Sequence, residues 1–327
     1  MPRLTTLICT FAVAAFATSA ALGAAHAESY PERPVKIVVP YPAGSGLDTM
    51  ARVLGQKLSE RWSQSVVVEN KAGANTIVGA DTVAKAAPDG YTILMTSDTT
   101  VTANPELYTK LPYSVSDFEP VTQLVQLNQM LLTRNDTGVM TLAEAVKLFK
   151  DHPDKYNYAS YGAGSQPHLA METFKNKADV SVLHVPYNGL SSALNALLAG
   201  EVQFTFIGVA SSLPHIKAGK IVPLAIGGEK RVSLVPDVPT FAELGYADVP
   251  AYAWFGVFVP KGTDSKIINK IANDIREVAA DPEFQQDQVN TRGYDAIFNT
   301  PGEFASAIVK DRERAAQAVK LSGAKLD

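Results

Sequence analysis

A strand, a glycine-containing loop and a helix follow one another without interruption at residues 35–62. No other segment limits the possible folds of this chain as much. Val35-Lys36-Ile37-Val38-Val39 is a short apolar run that reads as a buried strand. Pro40-Tyr41-Pro42-Ala43-Gly44-Ser45-Gly46 follows with turn-forming residues. From Leu47-Asp48 onward, Leu47, Met50, Ala51, Leu54, Leu58 and Trp62 recur at helical spacing and mark one buried face. A strand that turns directly into a helix aims the first free N–H groups of that helix at whatever fills the turn. Their partial positive charge favours an anion. The loop has neither the Gly-Lys-Ser/Thr ending of a phosphate loop nor the GxGxxG pattern, and it contains no Lys or Arg. The ligand it fits is a small anion such as a carboxylate, held by neutral donors. A plain strand-to-helix turn would use the same residues, so the loop alone leaves both readings open.

The start of the chain reads as an export signal. Arg3 precedes an apolar and small-residue run over 7–25, and Ala25-His26-Ala27 is an A-x-A processing site. Cleavage after Ala27 would leave 300 of the 327 residues and remove one arginine and no acid, so a net charge of −4 becomes one unit more negative. No later stretch has the roughly 18–20 apolar residues of a membrane span. The only cysteine, Cys9, leaves with the signal. That excludes disulfides, thiolate metal sites and a cysteine nucleophile, so an exported product must rely on its core. The absence of a cysteine at the cleavage site also argues against a lipid anchor. Mild acidity argues against nucleic acid as a partner, and it leaves the capture of an anion to local dipoles.

Strand and helix patterns alternate along the rest. Strand candidates are 35–39, 66–69, 92–96, 120–125, 130–133, 157–159, 181–185, 202–207, 222–226 and 255–259. Helical runs lie near 48–62, 77–86, 142–152, 167–175, 191–199 and 213–218. Two more helices close the chain. Asp264 opens one, with Ile267, Ile268, Ile271, Ile275 and Val278 on its apolar side. Thr300-Pro301-Gly302-Glu303 opens the other as a capping box with proline at the first position. The order is that of an α/β protein with mostly parallel sheets. Length favours two domains, and the chain is expected to cross between them at 125–130 and 250–254.

Two further strand-to-helix loops resemble the first in design. Tyr158-Ala159-Ser160-Tyr161-Gly162-Ala163-Gly164-Ser165-Gln166-Pro167-His168 brings Ser160, Ser165 and the amides after Gly164 to a helix start, where they could meet the same anion or simply cap the helix. His184-Val185-Pro186-Tyr187-Asn188-Gly189 is the third, with Asn188 offering a donor and an acceptor without charge. His168 reads as a capping or packing residue and His184 as structural. No GxSxG, HExxH or paired-cysteine motif is present. Ser165 and His168 are three residues apart, but nothing nearby in sequence supplies the carboxylate of a triad. The four histidines after the signal (His152, His168, His184, His215) are scattered, and no acidic cluster has calcium spacing. The chain is therefore read as a binding protein with no metal and no cofactor.

Motifs along nearly the whole chain after the signal, taken in order, resemble one family. They are Tyr30-Pro31-Glu32-Arg33-Pro34-Val35-Lys36-Ile37-Val38-Val39-Pro40-Tyr41 with Gly44 and Asp48, Glu69-Asn70-Lys71-Ala72-Gly73-Ala74 with Gly79, and Pro88-Asp89-Gly90-Tyr91-Thr92. Asn104-Pro105-Glu106-Leu107-Tyr108, Gly164-Ser165 with His168-Leu169-Ala170, His184-Val185-Pro186-Tyr187, Gly219-Lys220, Pro236-Asp237-Val238-Pro239-Thr240 and Pro260-Lys261-Gly262-Thr263 complete the series. The family is the extracytoplasmic solute receptors of tripartite tricarboxylate transporters, or Bug-type receptors. The resemblance implies a periplasmic-binding-protein type II-like fold of two α/β domains with a ligand cleft between them. Domain 1 is expected at 28–127 plus 251–327 and domain 2 at 128–250. It also implies a small carboxylate ligand, membrane permease subunits as partners and a monomer. The ligand-binding residues it implies are Tyr41, Ala43, Gly44, Ser45, Asp48, Ser97, Ser160, Ala163, Gly164, Ser165, His168, Pro186, Tyr187 and Asn188.

The chain departs from the family pattern at four places. Ser45 replaces the usual second glycine of the first loop, and Asn75-Thr76 replaces a glycine pair. Met171 replaces a glycine, and Asn188 stands where many members have lysine. Without that lysine, a second carboxylate on the ligand would not be held by charge there. Three alternatives are a binding protein of another importer class such as an ABC importer, a ligand-presenting partner of a membrane sensor, and a periplasmic hydrolase using Ser165 and His168.

Overall fold

The computed structural model describes residues 30–326, so the processing site at 25–27 lies outside the described residues. The strands are β1 Val35–Val39, β2 Val66–Asn70, β3 Thr92–Ser97, β4 Phe118–Arg134, β5 Asn157–Ser160, β6 Leu183–Pro186, β7 Phe204–Gly208, β8 Ile221–Ile226, β9 Tyr252–Pro260 and β10 Tyr294–Ala296. The helices are α1 Gly46–Trp62, α2 Ile77–Ala84, α3 Asn104–Leu107, α4 Leu142–Asp151, α5 Gln166–Ala178, α6 Leu190–Ala199, α7 Val209–Lys217, α8 Ser265–Ala279, α9 Pro282–Phe284 and α10 Pro301–Ser322. Among the described residues no helix is long and apolar enough to cross a membrane.

The strands form two sheets joined through one strand. The order is β2-β1-β3-β9-β4 on one side and β4-β7-β5-β6 on the other, with β8 and β10 also paired to β4. In the first lobe β1 runs parallel to both β2 and β3. In the second, β5 runs parallel to both β6 and β7. β9 is antiparallel to β3 and β4, and β4 is antiparallel to β7 and β8. The carboxyl ends of parallel strands therefore share one edge in each lobe, the edge at which open α/β sheets bind ligands.

The crossing expected at 125–130 is not a separate linker between two strands. Residues 118–134 form one strand, because its first half pairs with β9 and its second with β7 and β8, in a ladder interrupted only by bulges. At the junction Gln129 N donates to Ala251 O, and Gly227 N donates to Gln129 O, each at 2.9 Å. A side chain on Gly227 would place a Cβ only 1.8 Å from Ala251 O, so this third segment packs backbone to backbone. The helix expected at 213–218 begins instead at Val209, immediately after Gly208, and carries Pro214 in its interior. β10 and the one-turn α3 were not legible in the sequence, since three or four residues are too few for a periodic pattern.

The first lobe's core joins α1 and α8 to the sheet through Leu54, Leu58, Ile271 and Ile275, all almost fully buried. One buried polar contact locks these helices together. Asp274 on α8 accepts Trp62 Nε1 at 2.6 Å, Arg61 Nε at 2.8 Å and Lys270 Nζ at 2.8 Å. The second lobe is centred on Phe149, Phe174, Phe204 and Phe206. α10 packs on α5 of the second lobe and also on β4 and β9, so the C-terminal helix lies across both lobes. Asp274→Ala would leave the Trp62 N–H without an acceptor in a buried place. It is expected to lower first-lobe stability in urea by about 3 kcal/mol, with no change in ligand binding, because Asp274 is remote from the loops at the strand ends.

Candidate functional site

The first loop is fixed from below by a buried acid. Asp48, on the first turn of α1, accepts Gly44 N at 2.8 Å through Oδ2, and Arg52 Nε at 3.0 Å. Its Oδ1 accepts Asn70 Nδ2 at 2.8 Å, and the same amide reaches Tyr41 O at 3.1 Å. Burial alone would raise the Asp48 pKa, but the bonds from Arg52, Gly44 and Asn70 outweigh it and hold the carboxyl below its ordinary value. Asp48 and Arg52 make a charge pair, so the carboxylate adds little net negative charge to the helix start. Ser45 Oγ accepts Asp48 N as the N-cap, and Thr49 N donates to Ser45 O. That leaves the amides of Gly46 and Leu47 as the helix-start donors without an intrahelical acceptor. Tyr41 reaches across to β3, where its hydroxyl lies 2.8 Å from Ser97 Oγ. Ala43 and Gly44 are exposed at the loop tip.

The second loop is braced in the same way, with different residues. Gly164 N donates to His168 Nδ1 at 3.0 Å, which places the proton of a neutral His168 on Nε2. Ser165 sits at the N-cap position of α5, but its hydroxyl donates to Gly162 O at 2.6 Å and does not cap the helix. Pro167 has no N–H, so Gln166 and His168 supply the free amides of this helix start. Ser160 is fully buried. Its Oγ lies 3.0 Å from Gly162 O, 3.1 Å from Gly162 N and 2.6 Å from His184 Nε2. Thus both hydroxyls assigned to the ligand from the sequence have loop-bracing roles here. Ala163 is exposed between them.

Three rings stack beneath this loop. His168 and His184 lie 4.1 Å apart at 15°, and His184 and Tyr158 4.9 Å apart at 22°. Burial followed by the neighbouring His168 pushes the His184 pKa down to about 4, and burial lowers that of His168 as well. The nucleophile–base pair considered from sequence, Ser165 with His168, is not formed, because each is bonded elsewhere. Ser160 and His184 do touch. Glu172, whose field reaches both rings, is engaged by Tyr158 Oη and Lys175 Nζ and does not orient either ring.

The third loop stands apart from the other two. Pro186 and Asn188 are exposed, Tyr187 Oη donates to Glu201, and Tyr187 N donates to Ser160 O. The third loop's backbone thus supports the second loop, but its Tyr187 side chain points away. The first and second loops stand at the carboxyl ends of β1 and β5, one in each lobe. Tyr41 ties the first loop to Ser97, the next residue Asp98 reaches the seam, and Gly164 lines the same space from the other lobe. A Cβ on Gly164 would lie 2.8 Å from Leu107 and 3.3 Å from Leu326, both outside the second lobe's sheet. Leu326 N in turn donates to Leu107 O at 2.8 Å. Asp98, Gln166, Asp311 and Arg314 also line the seam and were not singled out from sequence. For Asp98 the available signal was its place just beyond a parallel strand's carboxyl end.

Residues 50–321 match the family model described as the tripartite tricarboxylate transporter family receptor. The chain belongs to this receptor family. It is similar to Protein BugT of Bordetella pertussis, at 35% identity over 312 residues and 95% of each chain. Among solved structures it is similar to Rpa4515 of Rhodopseudomonas palustris with adipate, at 28% identity and a TM-score of 0.79, covering 91% of this chain and 100% of that one. It is also similar to MatC of the same organism with bound malate, at 28% identity and a TM-score of 0.75, covering 89% and 100%. The family consists of solute-binding receptors, and the lobes described above are its two-domain periplasmic architecture.

Two tests follow from the receptor's loops. Gly44 (φ +82°) and Gly164 (φ +73°) are both left-handed, but only Gly164 has neighbours within contact range. Gly44→Ala should cost about 1–2 kcal/mol of backbone strain alone. Gly164→Ala should cost clearly more, and Leu107→Ala should recover the difference only in the Gly164→Ala background, as read in a double-mutant cycle. Equal losses at the two glycines would refute the seam contact. The His184 pKa sits below the unfolded value, so the unfolded chain takes up the proton first as pH falls. Stability is therefore lost between about pH 6.5 and 4 and levels off below, by no more than about 2 kcal/mol once solvent screening of a half-buried ring is allowed for. Melting temperature against pH should show that slope, and His184→Gln should flatten it.

Proposed function

We propose that this receptor captures a small organic carboxylate in the periplasm and delivers it, chemically unchanged, to the membrane permease subunits of a tripartite tricarboxylate-type transporter. One observation carries the reading. Two helix starts, α1 after Ser45 and α5 after Ser165, stand at the carboxyl ends of parallel strands in opposite lobes, behind loops without a lysine or arginine, and each retains free amides. Such ends carry about half a unit of positive charge and together suit one carboxylate when water is excluded. The similar proteins solved with adipate and malate support the choice of anion.

In this reading the export signal is cleaved after Ala27 and the receptor acts as a monomer. The domains divide at 28–127 plus 251–327 and 128–250, with β4 and the start of β9 as the flexing connection. Tyr41, Ala43, Gly44, Ser45, Asp48 and Ser97 present the first lobe's side of the cleft. Ser160, Ala163, Gly164, Ser165 and His168 present the second lobe's side, and Pro186, Tyr187 and Asn188 form its rim. Asp48 and His168 act as positioning residues, since each fixes a glycine amide and neither needs to touch the ligand.

A thermal-shift screen of small carboxylates against their methyl esters tests this, together with native mass spectrometry of protein purified from the periplasm. A true ligand at 100 times its Kd should add about 2.7 kcal/mol of stability. It should be recovered intact, and its ester should give no shift. Asp48→Ala should weaken that ligand's binding by freeing the Gly44 amide. A screen in which no carboxylate stabilises the protein, or in which only a cleaved product is recovered, would refute the reading.

A further inference from the structure

The third loop holds a residue pair with a chemistry of its own. Asn188 is the only asparagine of the chain that is followed by glycine. It is exposed, and among the described residues only its backbone carbonyl is engaged, by Ser192 Oγ at 3.3 Å. Its side-chain amide is free to turn. Gly189 has φ +88° and ψ 177°, and nothing lies within 4 Å of the place a Cβ would take. Its N–H makes one local bond, to Tyr187 O at 3.0 Å, across a three-residue turn. With no side chain and no packed neighbour, the backbone here can rotate and bring Gly189 N against the Asn188 side chain.

The other candidates are held. Asn70 Nδ2 donates to Asp48 and to Tyr41 O, Asn75 bonds to Asn104, and Asn128 donates to Asp295 at 2.7 Å. The related pair Asp89-Gly90 is fixed on both sides. Asp89 accepts Arg33 at 2.7 Å and Tyr91 N at 3.0 Å, and a Cβ on Gly90 would lie 2.5 Å from Ile267. The product of a reaction at 188 also meets no opposition. α6 begins at Leu190 with no side-chain cap and no acid in its first turn. A carboxylate just before that helix start sits where the helix dipole favours it.

We infer that Asn188-Gly189 is a site of spontaneous deamidation, at which the exported receptor acquires a carboxylate on its third loop. Gly189 N attacks Asn188 Cγ. The new N–Cγ bond forms as the Cγ–Nδ2 bond breaks, and ammonia leaves with the proton from Gly189 N. Water then opens the resulting five-membered imide. Opening at one carbonyl gives aspartate. Opening at the other gives isoaspartate, whose main chain runs through the former side chain and is one atom longer. That atom lies beside Tyr187, whose N–H donates to Ser160 O at 3.1 Å and ties the third loop to the second. The isoaspartate form therefore loosens this tie, and the aspartate form keeps it. Solvent supplies the base and the water, so the chemistry does not depend on what the receptor binds.

Incubation of the full exported protein at 37 °C, at pH 6 and at pH 9, followed by peptide mapping with mass spectrometry, tests this. The peptide carrying Asn188 should convert from amide to acid as two separable products, about tenfold faster or more at pH 9. Peptides carrying the other asparagines should stay unchanged over that time. Asn188→Gln, whose longer side chain disfavours the five-membered ring, should slow the conversion at least tenfold without altering the glycine. The same chain unfolded in guanidinium chloride serves as the clock. If Asn188 stays intact in the folded protein while the unfolded chain is converted, the fold protects the pair and the site is refuted. Hydrogen exchange on the separated forms reads the tie to Ser160. The Tyr187 amide should exchange faster in the isoaspartate form and unchanged in Asn188→Asp, and equal rates in all three would overturn the loosening.

Discussion

The whole arrangement depends on β4. Its seventeen residues are bonded into both sheets, so the two lobes are two ends of one ladder with no tether between them. The bonds joining Gln129 to Ala251 and to Gly227 close the junction with a second and a third segment. α10 then lies across the other face of the seam, with Leu169, Ala318 and Val319 forming a small apolar cluster alongside Leu107. A connection of this kind permits bending but resists sliding of one lobe past the other. Backbone ladders bend at little cost because each N–H···O bond tolerates a broad range of angles.

The loops after β1 and β5 present helix-start amides in a protein that is itself acidic. Neither loop at the seam has a cation. In each, a buried side chain takes one glycine amide, Asp48 for Gly44 and His168 for Gly164. These bonds hold the tips in left-handed turns and aim the remaining helix-start amides outward. Asp48 can sit at a helix N-terminus without occupying the anion site because Arg52 pairs with it from the next turn. His168 can do so because burial keeps it neutral. Preorganised dipoles of this sort hold a charge without the reorganisation that long flexible cations require.

The hydroxyls have a different role from the one their positions imply. Ser45 caps its helix, Ser165 closes a turn onto Gly162, and Ser160 ties the loop to the stacked imidazoles. Each of these bonds fixes the shape of its loop. At the seam itself, Asp98 directly follows Ser97 and Gln166 directly follows Ser165.

The alternation of short apolar strands with amphipathic helices, the glycine-rich turns at strand ends and the lack of cations in those turns are local properties. They depend only on side-chain period, backbone freedom at glycine and charge, so the α/β class, the eight helices of two turns or more among the described residues and the strand-to-helix loops could be read directly from the sequence. The family motifs added the two-lobe plan. Tertiary structure alone decided that 120–125 and 130–133 are one strand, because strand identity across a junction depends on which partners complete the ladder. It also decided that Ser160 meets His184 twenty-four residues away while Ser165 and His168, three apart, do not pair. Sequence proximity limits which groups can meet, but it does not say which acceptor each will find once the core has set the rotamers. Asp98, Gln166, Asp311 and Arg314 are spread over more than two hundred residues, and only the packing of α10 and α5 across β4 makes one cavity of them.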